Sequence, residues 1–139
     1  MTILPASKWI LAYLGTTLVF FAIDLIWLGV VAKDLYRKEL GGFLSDQVNW
    51  SAAFIFYLLF IVGIFIFCIV PATEQQSLAK AVVSGVLFGL FTYATYDLTN
   101  LATLKNWPLK IVFIDIAWGM VLTGSVSAAG FMIVHWLRK

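Results

Sequence analysis

Three aspartates sit where this chain is otherwise apolar: Asp24 in "FFAIDLIWLG", Asp97 in "TYATYDLTNL" and Asp115 in "VFIDIAWG". Two of them share a pattern, Ile-Asp-x-x-Trp, written once at 23–27 and again at 114–118. Carboxylates in such runs can take up and release a proton, bind a hard cation such as Mg²⁺ through oxygen, or accept hydrogen bonds from a polar headgroup. Each charge placed mid-membrane costs about 2.5–3.5 kcal/mol on the insertion scale, so intramembrane acids point to function. The competing reading is structural, with the acids as hydrogen-bonding glue between helices.

Composition fixes the medium. The 139 residues are 63% hydrophobic and 12% charged, against about 25% charged in soluble domains. An integral membrane protein follows, with membrane lipids as its surroundings and partners. The net charge of +2 gives no reason to expect nucleic acid. The single cysteine, Cys68, excludes an internal disulfide and reads as a packing residue. The single histidine, His135, falls at the far end from the acids, which leaves a haem or a histidine-built metal centre without ligands. No lysine lies mid-span, so a retinal Schiff base has no anchor.

The apolar runs predict an all-α polytopic protein with one domain, residues 1–139, and four transmembrane helices over about 9–32, 52–70, 78–104 and 109–136. Ser51 is the expected N-cap of the second span and Pro71 its stop, while Pro108 suits the first turn of the fourth. The segment 33–51 reads as a charged helical extension or surface helix broken at Gly41–Gly42. Four spans put both termini on one side of the membrane. The trio Lys33, Arg37 and Lys38 leans the opposite side toward the cytoplasm.

On that topology the acids share a depth. At 1.5 Å per residue, Asp24, Asp97 and Asp115 lie roughly 13, 12 and 8 Å from Lys33, Lys105 and Lys110. The first and third spans run toward the surface from which the fourth starts, so all three carboxylates fall in one half of the bilayer. Gly85, Gly89, Tyr93 and Asp97 form an i+4 stripe on the third span, with Asn100 one turn on. Asp115, Gly119, Thr123 and Ser127 repeat it on the fourth. Such small-residue stripes let helices approach closely. The expected site is therefore Asp24, Asp97, Asn100 and Asp115, supported by Trp27, Tyr93 and Trp118 and rimmed by Arg37, Lys105 and Lys110. Trp9, Trp50, Trp107 and Trp136 fall at span ends and read as the interfacial aromatic belt.

At "FFAIDLIWLGVVAKDLYRKELG" and "GLFTYATYDLTNLATLKNWP…VFIDIAWG" the chain resembles a bacterial family of small four-helix membrane proteins, domain-of-unknown-function family 2177. The resemblance covers nearly the whole chain and implies a multi-pass protein of the bacterial inner membrane. It implies no activity and no functional residue.

Three functions remain in view. The first is a carboxylate-rich intramembrane pocket binding a cation, a proton or a polar lipid headgroup, with a transport role open and a homo-oligomer to enclose the pathway. The second is a membrane-embedded lipid-modifying enzyme, in which Asp and Asn oxygens hold Mg²⁺ and Arg37, Lys105 and Lys110 hold a lipid phosphate. The third is a non-catalytic partner subunit whose aspartates only pack helices.

Overall fold

The computed structural model describes residues 4–139, and among them every regular element is helical. The first span is α1, Ala6–Ile26, continued by one π-helical turn, Trp27–Val31. A short amphipathic helix α2, Lys33–Leu40, follows. The second span is α3, Trp50–Ile64, a π-helical turn Phe65–Ile69, and α4, Val70–Glu74. Helices α5, Leu78–Thr103, and α6, Leu109–Leu137, complete the four. All four are long and apolar enough to cross a membrane, and their outward faces carry large exposed apolar side chains such as Leu18, Phe67, Phe91 and Phe113.

Two boundaries differ from expectation, each for a local reason. The N-cap of the second span is Asn49, not Ser51: its side chain accepts from the Ala52 N–H at 3.1 Å. Pro71 does not stop that span. A proline inside an α-helix removes an amide donor and collides with the carbonyl four residues back. Here the π turn Phe65–Ile69 widens the helix just before it, and the chain stays helical to Glu74. The helix closes at Gln75, and Gln76, at φ 50°, turns the chain toward α5.

Helices α5 and α6 are the most closely packed pair. The two small-residue stripes make this contact. A Cβ on Gly89 would run into the Gly119 carbonyl oxygen and the Thr123 hydroxyl, and one on Gly119 into the Tyr93 ring. Thr123 Oγ1 lies 2.5 Å from the Gly85 carbonyl oxygen and 2.6 Å from that of Gly119, so its hydroxyl ties the backbones together. Helix α1 packs on the other flank of α6. The main core, including Phe20, Ile61, Ile64, Leu122 and Val126, fills the space between α1, the second span and α6. Cys68 is buried within it.

The second span leans away from α5 over its first part. Its backbone meets α5 mainly through Phe65–Ile69 and Val70–Glu74. Nearer its start the contact is made by side chains, Phe60 against Phe88 and Tyr93. The two helices therefore form a wedge, open at the end that carries the aspartates.

Candidate functional site

Asp24, Asp97 and Asp115 are all buried, with 6%, 0% and 7% of their surface exposed. Each stands on a different helix. Asp24 of α1 accepts a hydrogen bond from the Tyr57 hydroxyl of α3 at 3.1 Å. Asp115 of α6 accepts one from the Tyr36 hydroxyl of α2. The Tyr36 oxygen in turn accepts the Trp27 indole N–H at 3.2 Å. A relay Trp27–Tyr36–Asp115 thus joins three helices.

The repeated tryptophans meet in the middle of this arrangement. Trp27 and Trp118 stack with ring centroids 4.3 Å apart and planes 7° from parallel. The indole of each lies toward the acid of the other's helix, and one of the two completes the link. Trp27 reaches Asp115 through Tyr36, while the Trp118 N–H faces Asp24 without completing a hydrogen bond. Tyr93 sets its ring against Gly119, one turn along α6 from Asp115.

Helix α2 is the piece that closes this end. Ala32, fully buried and with φ −107° and ψ 3°, breaks the chain after the π turn. Leu40 then packs with Trp107, Ile111 and Val112, and Glu39 pairs with Lys110 at 3.3 Å. Both anchor α2 over the start of α6 and bring Tyr36 down onto Asp115. Burial, and then the bond to the Asp115 carboxylate, raise the Tyr36 pKa well above the ordinary 10.0, so this phenol is a committed donor.

Asp97 is different. It has no exposed surface, and neither carboxyl oxygen has a hydrogen-bond partner. The Trp107 indole N–H, in the link between α5 and α6, lies beside it and is itself unpaired. Asn100 is half-buried on the same helix, near Tyr96, and makes no hydrogen bond to an acid. Arg37 and Lys105 are exposed, and Lys110 is occupied by Glu39. Among the described residues, no three His, Cys, Asp or Glu side chains converge as a metal-ligating group.

The wedge between α3 and α5 forms a cavity of about 770 Å³, lined by Phe56, Phe60, Phe88, Phe91, Tyr93 and Tyr96, with Thr92, Thr95 and Asp115. Both threonine hydroxyls donate back to their own helix, to Phe88 and Phe91 carbonyls, which satisfies them within an apolar wall. Asp115 is the one charged residue of the lining. Tyr36, Tyr57 and Trp107 were not among the residues expected to form the site. Tyr57 carried a signal, its placement near the acid-bearing surface. Tyr36 lay in a segment that reads as polar surface, and Trp107 in one that reads as interfacial belt.

The family model for "Predicted membrane protein (DUF2177)" matches residues 9–132. The chain belongs to that family. The match spans all three aspartates, both tryptophans of the stack and the whole of α2. No curated protein and no solved structure matches the chain. DUF2177 is described by its membrane location alone, so the chemistry rests on the geometry above.

Proposed function

We propose that this DUF2177 protein binds a membrane lipid through the cavity between α3 and α5, with the tail along the aromatic wall and the polar head at Asp115. The carrying observation is the lining itself: six aromatic rings and back-bonded threonines, with one carboxylate. Ligand sites are largely apolar with a few placed polar groups, and about 300–1,000 Å³ holds a drug-sized molecule. A carboxylate accepts hydrogen bonds, so the head it suits carries hydroxyl or ammonium donors. In the bacterial inner membrane, which the resemblance implies, such a lipid enters sideways between two spans.

A lipid is favoured over a hard cation because Asp115 and Asp24 are taken up by Tyr36 and Tyr57, and the described acids do not converge on one point. One feature also favours an enzyme acting on that lipid: the Tyr36–Asp115 pair sets a hydroxyl donor beside a carboxylate acceptor. In that reading Asp115, which lines the cavity, is the base, and Tyr36 orients its carboxylate.

Native mass spectrometry of the protein from its own membranes, with lipid and metal identification, tests the reading. Wild type should carry a lipid that Asp115→Asn loses. A metal ion in place of a lipid would favour the cation alternative. Equal lipid retention by both proteins would sink the proposal. A bound lipid that changes mass on incubation with wild type, but not with Tyr36→Phe, would establish turnover. The same spectra report whether the protein is a homo-oligomer.

A further inference from the structure

A second cavity lies at the opposite end of the bundle, far from the aspartates along the helices. It measures about 220 Å³ and is lined by Thr73, Gln76, Phe131, His135, Arg138 and Lys139. The last turn of α6 faces the link between α4 and α5 here. Arg138 Nη1 donates to the Thr73 carbonyl at 2.7 Å, which orients the guanidinium. The Arg138 Nε–H is buried and has no acceptor. A guanidinium presents five N–H donors in a fixed fork, so this one is held in place with donors to spare. The His135 ring stacks near-parallel with Phe131, 12° between planes, and Lys139 adds a second basic side chain.

The surroundings are basic as well. Lys8 donates to the Leu137 carbonyl at 2.5 Å, which brings the first turn of α1 to this end, and Lys80 stands in the first turn of α5. Glu74 is the acidic residue nearby, exposed on α4 and outside the lining. The position suits a headgroup: Leu137 closes the fourth span, so Arg138 and Lys139 lie where a helix end meets the interface. A volume of about 220 Å³ falls below the roughly 300–1,000 Å³ of drug-sized sites, which fits a head and not a whole lipid.

We infer that this cavity is a phosphate site, in which the Arg138 fork and Lys139 hold a phosphoryl group at the membrane surface. Arginine matches phosphate bidentately, and charge-assisted bonds of that kind are about twice as strong as neutral ones. The phosphoryl group comes from a lipid or from a free anion. The inference stands apart from the lipid cavity at Asp115 and survives if that reading fails.

The test is titration of the detergent-solubilised full chain with short-chain phosphatidylglycerol, the matched diacylglycerol and inorganic phosphate, read by native mass spectrometry. Wild type is expected to bind phosphatidylglycerol roughly tenfold tighter than diacylglycerol, with Arg138→Gln losing most of that preference. Lys139→Gln should lose part of it, and decides the matter if Arg138→Gln fails to fold. Lys33→Gln, an exposed charge at the other end, should lose none. If inorganic phosphate binds and displaces the lipid, the site serves a free anion. If it does not, the site serves a headgroup. Either supports the assignment. Equal binding of phosphatidylglycerol and diacylglycerol overturns it. So do folded variants at 138 and 139 with wild-type preference, or an equal loss in Lys33→Gln.

Discussion

Trp27 and Trp118 stack face to face, centroids 4.3 Å apart, although each belongs to its own copy of Ile-Asp-x-x-Trp. The spacing does not pair each acid with its own tryptophan. It sets two indoles on antiparallel helices at one depth, where they meet and cross over. Buried aromatic pairs couple by about 0.5–1.5 kcal/mol beyond their area. A double-mutant cycle with Trp27→Leu and Trp118→Leu, read by reversible unfolding in detergent, should return a coupling of about that size. Strictly additive losses would mean that the stack contributes nothing of its own.

Tyr36→Phe removes one oxygen and strands two partners, the Trp27 N–H and the Asp115 carboxyl. A buried polar group left without a partner costs about 1–3 kcal/mol. The variant should unfold earlier by that amount, and amide exchange over 33–40 should quicken as α2 loosens. Unchanged exchange there would show that Glu39–Lys110 and Leu40 hold the helix unaided.

Alkaline pH tests the same phenol from another direction. Its pKa is raised in the folded protein above the ordinary 10.0, so the folded state keeps the proton after the unfolded chain has released it. That stabilisation is complete below about pH 10 and declines as pH rises beyond it, because only the unfolded state gains by ionising. Wild type should therefore lose stability between pH 10 and 11.5 more steeply than Tyr36→Phe. Parallel curves would remove Tyr36 from the account.

Two glycines separate packing from permissiveness. A methyl group on Gly89 meets the Gly119 backbone and Thr123, neither able to withdraw, whereas one on Gly29 meets nothing within 4 Å. Overpacking of a tight contact costs about 1–3 kcal/mol or more. Gly89→Ala should fall at or above the top of that range, and Gly29→Ala should be neutral or slightly stabilising. Thermal unfolding of both checks the α5–α6 contact directly.

Four spans and two close-packing stripes could be read from residue types because apolar length and i+4 small residues act locally. The shared depth expected for Asp24, Asp97 and Asp115 came from helix direction and rise alone; their burial depends on which face each helix turns inward. The partners did not follow. Tyr36 reaches Asp115 because Ala32 breaks the helix and Leu40 docks on Trp107, contacts between positions far apart in the chain. Pro71 misled because its cost is absorbed by a π turn, and no single residue type announces one. The cavity depends on the lean of the second span, which arises from side-chain volumes such as Phe60 against Phe88, not from periodicity.

Asp97 separates function from glue most cleanly. Glue must be bonded, and this carboxyl, without exposed surface, has no hydrogen-bond partner on either oxygen. A carboxylate buried without a partner costs several kcal/mol that a neutral group of similar shape does not incur. Asp97→Asn should therefore be more stable than wild type, by about 1–3 kcal/mol, since its amide can donate as well as accept. Proteins retain such destabilising groups where activity needs them; Asp97 lies outside the cavity lining, so loss of the bound lipid in the stabilised variant would extend the site to it. Unfolding in detergent and native mass spectrometry on one preparation measure both. A variant less stable than wild type with its lipid intact would mean that Asp97 holds helices together after all, and would return it to the structural reading.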